Sequence, residues 1–236
     1  MKLYQLCRLS GLDCPAGNEE TEIAFVTDHT AKVRAGSLFV AIRGFTTDGH
    51  DKIDEAIAAG AIAILASDDY EAPKNFSAIL LRSDNTRRAF SFLCHAFYGC
   101  PGEKLKLIGV TGTNGKTSVT NMIRAILESA MHRCGLIGTV GCESAGRTLQ
   151  SENANHLSNL TTPDPQDLYR MLAEMVEDGV EYVVMEVTSH ALALEKLAPL
   201  RFAAGVFTNL TPEHLDFHKT MQSYAACKAK RNAPAV

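Results

Sequence analysis

No stretch of this 236-residue chain is apolar for long enough to cross a bilayer. The opening Met1-Lys2-Leu3-Tyr4-Gln5-Leu6 is not followed by the apolar core of a secretory leader, so the expectation is a cytoplasmic protein without a membrane partner. No Cys-x-x-Cys pair occurs. The cysteines, at 7, 14, 94, 100, 134, 142 and 227, are odd in number, which favours scattered reduced thiols over a disulfide framework or a structural zinc. Basic charge is not in excess either: 23 Lys and Arg against 27 Asp and Glu leave a formal −4, which argues against a general nucleic-acid binder. Internal repeats and low-complexity tracts are missing too. The composition that remains, 46% apolar and 21% charged, is ordinary for a globular protein of one large or two modest domains.

The informative stretch is Val110-Thr111-Gly112-Thr113-Asn114-Gly115-Lys116-Thr117. Leu105-Lys106-Leu107-Ile108-Gly109-Val110 leads in as a buried strand. Val119, Met122, Ile123, Ile126 and Leu127 follow at i, i+3, i+4, i+7 and i+8, the apolar face of a helix. A strand-to-helix turn of small residues ending in Gly-Lys-Thr is a recipe for holding phosphate. The glycines let the backbone curl until several N–H groups point at one anion. The helix N-terminus adds positive potential, Lys116 adds charge, and the Thr117 hydroxyl can ligate Mg²⁺. The candidate nucleotide-binding set is therefore Gly112, Thr113, Asn114, Gly115, Lys116, Thr117 and Ser118. Val110 stands where the strict pattern wants glycine, so an ordinary tight turn is the competing reading.

Residues 1 to about 100 read as a separate small α/β unit, with a boundary at Cys100-Pro101-Gly102. Its strands are Ala24-Phe25-Val26, Ser37 to Ile42, Ala61 to Ala66 and Ala78 to Leu81. A short helix carries Ile53, Ala56 and Ile57 and stops at Gly60; a longer one carries Ala89, Phe92, Leu93, Ala96 and Phe97. Beyond residue 101 the alternation continues, with strands at Cys134 to Val140, Tyr182 to Val187 and Phe202 to Asn209. A helix starts at Asp164-Pro165 and bears the core stripe Leu168, Met171, Leu172, Met175 and Val176. Gly141 to Leu160 is polar and poorly patterned, which suggests a functional loop. Repeated βα units predict a mostly parallel, doubly wound sheet with ligands at the carboxyl ends of its strands.

Glu186, an acid ending an apolar strand, is expensive to bury without a cation and is a candidate Mg²⁺ ligand; a salt bridge is the bland alternative. His190 and His214 follow the ends of what should be two neighbouring strands. Imidazole and oxygen groups without a nearby thiolate make a structural zinc a poor fit, and His214 is read as belonging to a magnesium site. Thr161-Thr162-Pro163-Asp164 offers hydroxyls and a helix N-terminus to an anionic group, though it is also an ordinary helix entry.

In order, Gly109 to Thr117, Gly138-Thr139-Val140-Gly141, Thr161 to Pro165, Met185-Glu186-Val187-Thr188-Ser189-His190-Ala191-Leu192, Phe207 to Thr211 and His214-Leu215-Asp216-Phe217-His218 resemble the Mur ligases, most of all the MurE type. Gly36 to Ala41 and Asp48-Gly49-His50 extend the resemblance to the first domain. It implies a UDP-substrate domain over 1–100 and a central ATP-binding domain over 101–236. The implied reaction adds a diamino acid to UDP-N-acetylmuramoyl-L-alanyl-D-glutamate through an acyl phosphate, with ATP and Mg²⁺. Lys116, Glu186, His214 and Lys228 would be catalytic. Thr117, Glu186, His214 and Lys228, the last as a carbamate, would hold metal. Thr30, Phe45, Thr46 and Thr47 would contact substrate in the first domain, and Thr161, Thr162, Thr188, Leu194 and Lys196 in the second.

The departures from the family bear on substrate. Ala31 stands where the family has an arginine, Leu194 replaces a glutamine, and Lys196 replaces an arginine whose fork it cannot reproduce. The text after Lys228 does not follow the family, and Ala233-Pro234 interrupts a helical pattern. The expectation is a fragment, a truncated frame or half of a split enzyme, without the amino-acid-binding domain and unable to ligate alone. The alternatives are a non-catalytic nucleotide or UDP-sugar-binding module, or another ligase with this core, such as a folylpolyglutamate synthetase.

Overall fold

The computed structural model describes residues 1–150 and 160–229. The chain divides into two compact units, Met1–Gly99 and a second beginning at Cys100.

The first unit opens with a helix the sequence reading did not anticipate, α1 (Leu3–Ser10), which buries Leu3, Leu6 and Cys7 and ends on Gly11 in the left-handed region, φ 71°. It packs against the helix Thr86–Phe97. Then come β1 (Phe25–Thr27), β2 (Ser37–Val40), α2 (Ile53–Ala58), β3 (Ala61–Ser67), β4 (Ile79–Ser83) and α3 (Thr86–Phe97). The four strands form a parallel sheet in the order β1-β2-β3-β4. Phe39, Ala41, Ile53, Ala56, Ile64 and Ala66 pack one core against it. In α3 it is Phe90 that is buried, while Phe92 and Phe97 are only half-buried.

The loop after β2 is stapled by side chains. Asp48 Oδ1 meets His50 Nδ1 at 2.6 Å, and His50 Nε2 lies 2.9 Å from Ser67 Oγ. These residue types suggest a hydrolase relay. The Ser67 backbone N–H, however, donates to the same Nε2 at 3.1 Å, so the imidazole lone pair is spent on fixing the chain.

The second unit contains β5 (Lys106–Thr111), α4 (Lys116–Ser129), β6 (Cys134–Gly138), β7 (Gly141–Ser144), β8 (Arg147–Leu149), α5 (Pro165–Glu177), β9 (Tyr182–Glu186), α6 (Ser189–Ala193), β10 (Phe202–Phe207), α7 (Leu215–His218) and α8 (Met221–Ala229). The sheet order is β10-β5-β9-β6-β7-β8, parallel through β6 and antiparallel beyond it. Helices lie on both faces. Leu136 points to the α4 side with Val110 and Val184, while the adjacent Gly135 faces Met175 of α5.

Three expectations change. The stretch from Gly141 is not all loop: β7 and β8 form a hairpin through Ala145 (φ 47°) and Gly146 (φ 86°), the paired positive angles that a two-residue hairpin turn requires. Residues 151–159 of that expected loop lie outside the described residues, as does Ala233-Pro234. The helical stripe after the phosphate loop is displaced, because Met122 and Ile126 are 62% and 68% exposed. Val119, Ile123 and Leu127 pack on the sheet and Thr120 is buried. Finally, β9 and β10 are not neighbours, since β5 lies between them.

Candidate functional site

The phosphate loop joins β5 to α4 with Gly112 at φ 145° and Gly115 at φ 82°. A segment far along the chain braces it. Thr113 N–H donates to Asn209 O at 2.9 Å, Asn114 N–H to Asn209 Oδ1 at 2.9 Å, and Thr208 Oγ1 to Asn114 O at 2.7 Å. The Thr113 hydroxyl lies 3.2 Å from Tyr224 Oη and accepts from Thr211 N–H at 3.0 Å. So Thr208-Asn209-Leu210-Thr211, which follows β10, is the strut that shapes the loop. Lys116 Nζ folds back onto Gly112 O (3.0 Å) and Thr113 O (2.7 Å), above the first-turn amides of α4, which have no partner inside the helix.

Glu186 is 1% exposed at the end of β9. Thr117 Oγ1 (2.9 Å) and Thr139 N–H (3.0 Å) donate to its Oε1, and Thr139 Oγ1 approaches its Oε2 at 3.1 Å. Gly138 is needed beside it, because a Cβ there would overlap Glu186 Oε1. A cleft of about 470 Å³ opens here, lined by Thr113 to Thr117, Thr139, Thr161, Thr162, Glu186, Thr188, His190, Lys196, Glu213 and His214. It lies beyond the carboxyl ends of β5, β6 and β9, where parallel sheets bind ligands. His214 sits at φ 56°, a strained angle for a residue with a side chain, and its ring lies 4.9 Å from that of His190. Burial, then the charge of His214, holds both His190 and His218 below the usual imidazole range.

The remaining candidates are placed as follows. Thr162 Oγ1 donates to Glu186 O at 2.9 Å, and Thr188 caps α6 through Ala191 N–H. Asp164 occupies the N-cap position of α5 without capping it; its carboxylate holds Lys196 Nζ at 2.7 Å. Leu194 ends α6 and Ser118 lies on the exposed side of α4; neither lines the cleft. Lys228 does not line it either. Its Nζ comes from α8 and donates to the same Gly112 O at 2.9 Å, with the side chain buried. Burial, followed by the positive charge of Lys116, pushes its pKa down to about 8.

Thr117 and Glu186 supply hard oxygen donors side by side, which suits magnesium. Among the described residues no three or more His, Cys, Asp and Glu side chains are gathered to hold a metal, so any ion here needs a further oxygen ligand.

The first unit has its own cleft of about 440 Å³, lined by Thr30 and Thr47 with Asp28, His29, Lys52 and Arg87. Phe45 is 76% exposed and Thr46 is exposed. Arg87, which sequence reasoning did not single out, donates to Arg43 O at 2.6 Å and lies over the Phe45 ring at 5.5 Å, fixing the loop that carries Phe45 to Thr47. Nothing in the Thr86-Arg87-Arg88 run marks it, since exposed arginines on a helix are common.

The family profile described as Mur ligase middle domain matches residues 110–230, and the one described as Mur ligase family, catalytic domain, matches residues 22–98. The chain is 44% identical over 214 residues to UDP-N-acetylmuramoyl-L-alanyl-D-glutamate–2,6-diaminopimelate ligase of Alkaliphilus metalliredigens, covering 91% of this chain and 42% of that relative. The ligase of the same name from Geobacillus thermodenitrificans is 42% identical over 229 residues, covering 97% and 44%. A solved structure of a ligase with this name superposes with a TM-score of 0.76 at 24% identity, over 97% of this chain and 44% of that one, a likeness of fold. The chain thus spans somewhat under half the length of the relatives it matches. No described helix is long and apolar enough to cross a membrane.

Proposed function

Because the chain belongs to the Mur ligase family, we propose that its second unit performs the acyl-activating chemistry of an ATP-dependent amide ligase of peptidoglycan precursor synthesis. The proposed substrate is UDP-N-acetylmuramoyl-L-alanyl-D-glutamate. The incoming amine is a diamino acid, with the 2,6-diaminopimelate of the relatives' names as the first candidate. One observation carries this reading: Lys116, Thr117 and Glu186 line one cleft together, at the start of a helix.

In the proposed reaction the substrate carboxylate attacks the γ-phosphorus of ATP, ADP leaves, and an amine then displaces phosphate from the acyl phosphate. Lys116 and the first amides of α4 hold the transferring charge. Thr117 and Glu186 would hold magnesium, which when bound neutralises phosphate charge. Thr161, Thr162, Thr188 and the Asp164-held Lys196 face the carboxylate to be activated. The cleft with Thr30, Thr47, Lys52 and Arg87 is assigned to the uridine diphosphate end. Hydroxylamine trapping tests the activation step without any amine substrate. ATP, Mg²⁺ and the UDP-muramoyl dipeptide together should give ADP and an acyl hydroxamate; ADP release that ignores the dipeptide would sink the proposal.

Lys228 is proposed as the carbamylated lysine: its amine stops at Gly112 O short of the cleft, and the added carboxylate would supply the further oxygen ligand. With its pKa at about 8, a useful fraction of its amine is neutral near physiological pH and can add to CO₂, releasing one proton. As pH rises through that value the reactive fraction grows, so carbamate should accumulate. ¹³C NMR under labelled bicarbonate should show a carbamate carbon that strengthens with pH and is lost in Lys228→Ala. Identical spectra for the two proteins would remove this role.

A further inference from the structure

A line of hydroxyls crosses the floor of the second unit's cleft. Thr117, from the phosphate loop, and Thr139, from the β6–β7 turn, both reach the Glu186 carboxylate. Thr139 Oγ1 also lies 2.9 Å from Thr161 Oγ1. A carboxylate only accepts hydrogen bonds, and a hydroxyl has one hydrogen to give. The polarity follows from that: Thr161 donates to Thr139, Thr139 donates to Glu186 Oε2, and Thr117 donates to Glu186 Oε1. In parallel, Thr162 ties the Glu186 carbonyl and accepts from Thr188 N–H. The Thr139 hydroxyl is therefore the side-chain link between the group nearest the nucleotide loop and the segment assigned to the acyl substrate. The overlap that a Cβ at Gly138 would make with Glu186 shows how closely the turn is fitted to that carboxylate.

We propose that Thr139 is a positioning residue that aims Glu186 and couples the phosphate loop to Thr161, so that nucleotide and acyl substrate bind cooperatively. This rests on the acyl-activation reading above. A ligand on either side orders the shared chain, and the second ligand meets a chain already ordered. Within the run from Thr161 through Thr139 to Glu186, where one hydroxyl accepts and then donates, the two linked hydrogen bonds reinforce one another, so a ligand that orders Thr161 also strengthens the Thr139 bond to the carboxylate. The coupling must be reciprocal, whichever ligand binds first.

The test is calorimetric binding of Mg²⁺–ADP, with and without the UDP-linked muramoyl dipeptide, in the chain as it exists. The wild type should bind ADP about 10-fold more tightly when the dipeptide is present, within the usual range of coupling between sites. In Thr139→Val this factor should fall to within about 2 of unity, and the Mg²⁺ midpoint for ADP binding should rise about 10-fold, the hydrogen bonds to a charged group being worth that much. Thr139→Ser keeps the hydroxyl and should restore both. If Thr139→Val does not fold, Thr161→Val cuts the same link from its far end and should lose the coupling alike. A factor of one in the wild type, an unchanged factor in Thr139→Val or Thr161→Val, or failure of serine to rescue overturns the inference. A wild-type chain that binds no Mg²⁺–ADP at all overturns the reading beneath it.

Discussion

Lys116→Ala is expected to weaken binding of Mg²⁺–ADP and of a non-hydrolysable ATP analogue by about 100-fold or more. Hydrogen bonds to charged groups contribute about 1.5–3 kcal/mol each, and a phosphate-loop ammonium makes more than one of them to phosphoryl oxygens. The structure adds a complication that sets the control. Lys116 Nζ also bonds Gly112 O and Thr113 O, so its loss could loosen the loop itself. Lys116→Met keeps most of the side chain's bulk and removes the charge, and should lose nearly as much affinity as alanine. Lys228 remains on Gly112 O in either variant, but its amine does not line the cleft, so it should not rescue binding. Calorimetry that finds wild-type affinity in Lys116→Ala would show that the loop is an ordinary tight turn.

The second large effect is on stability. At Gly112 a side chain would meet two obstacles at once. The backbone angle of 145° is outside the range residues with a Cβ adopt readily, and the Cβ would overlap Thr208 Oγ1 while lying 3.1 Å from the Asn209 backbone. The Thr208 hydroxyl is held by Asn114 O, and the Asn209 backbone cannot swing away. Gly112→Ala should therefore cost about 3–5 kcal/mol, strain plus overpacking, and lower the melting temperature of the second unit by about 10 °C. Gly146→Ala is the matched control: its φ is also positive, at 86°, but a Cβ there meets nothing within 4 Å. It should lose only the backbone term, about 1–2 kcal/mol. Chemical denaturation that places the two alanine variants together would mean that the fit of Gly112 against residues 208–209 does not constrain the fold.

Local patterns were legible in the sequence wherever one principle dominated. The entry strand β5, the glycine turn and α4 follow from apolar runs and small residues, and the Leu168 to Met175 stripe is buried as its spacing predicts. Errors arose where two readings shared a pattern. Met122 and Ile126 continue an apolar period, yet the sheet contact follows Val119, Ile123 and Leu127, and periodicity cannot tell the flank of a stripe from its centre. The β7–β8 hairpin turns on Ala145-Gly146, without the usual asparagine or aspartate signal. The α1 helix is a single short amphipathic segment whose stop, Gly11, reads equally well as part of a loop. In the site, Glu186 was legible because a lone acid in an apolar strand is costly. The contact of Thr139 was not, because it comes from strand order: β9 inserts between β5 and β6 and brings the β6–β7 turn to the carboxylate.

The strut behind the phosphate loop has a kinetic consequence. Its bonds join residues 94 to 98 positions apart, and β10, which delivers it, pairs only with β5 at the edge of the sheet among the described strands. Closing so long a stretch of chain carries a large entropic cost, and contacts of high sequence separation form slowly. The loop thus reaches its binding shape only after β10 has docked. A nucleotide that selects that shape then acts as a folding ligand, drawing the most remote pairing of the unit toward completion by mass action.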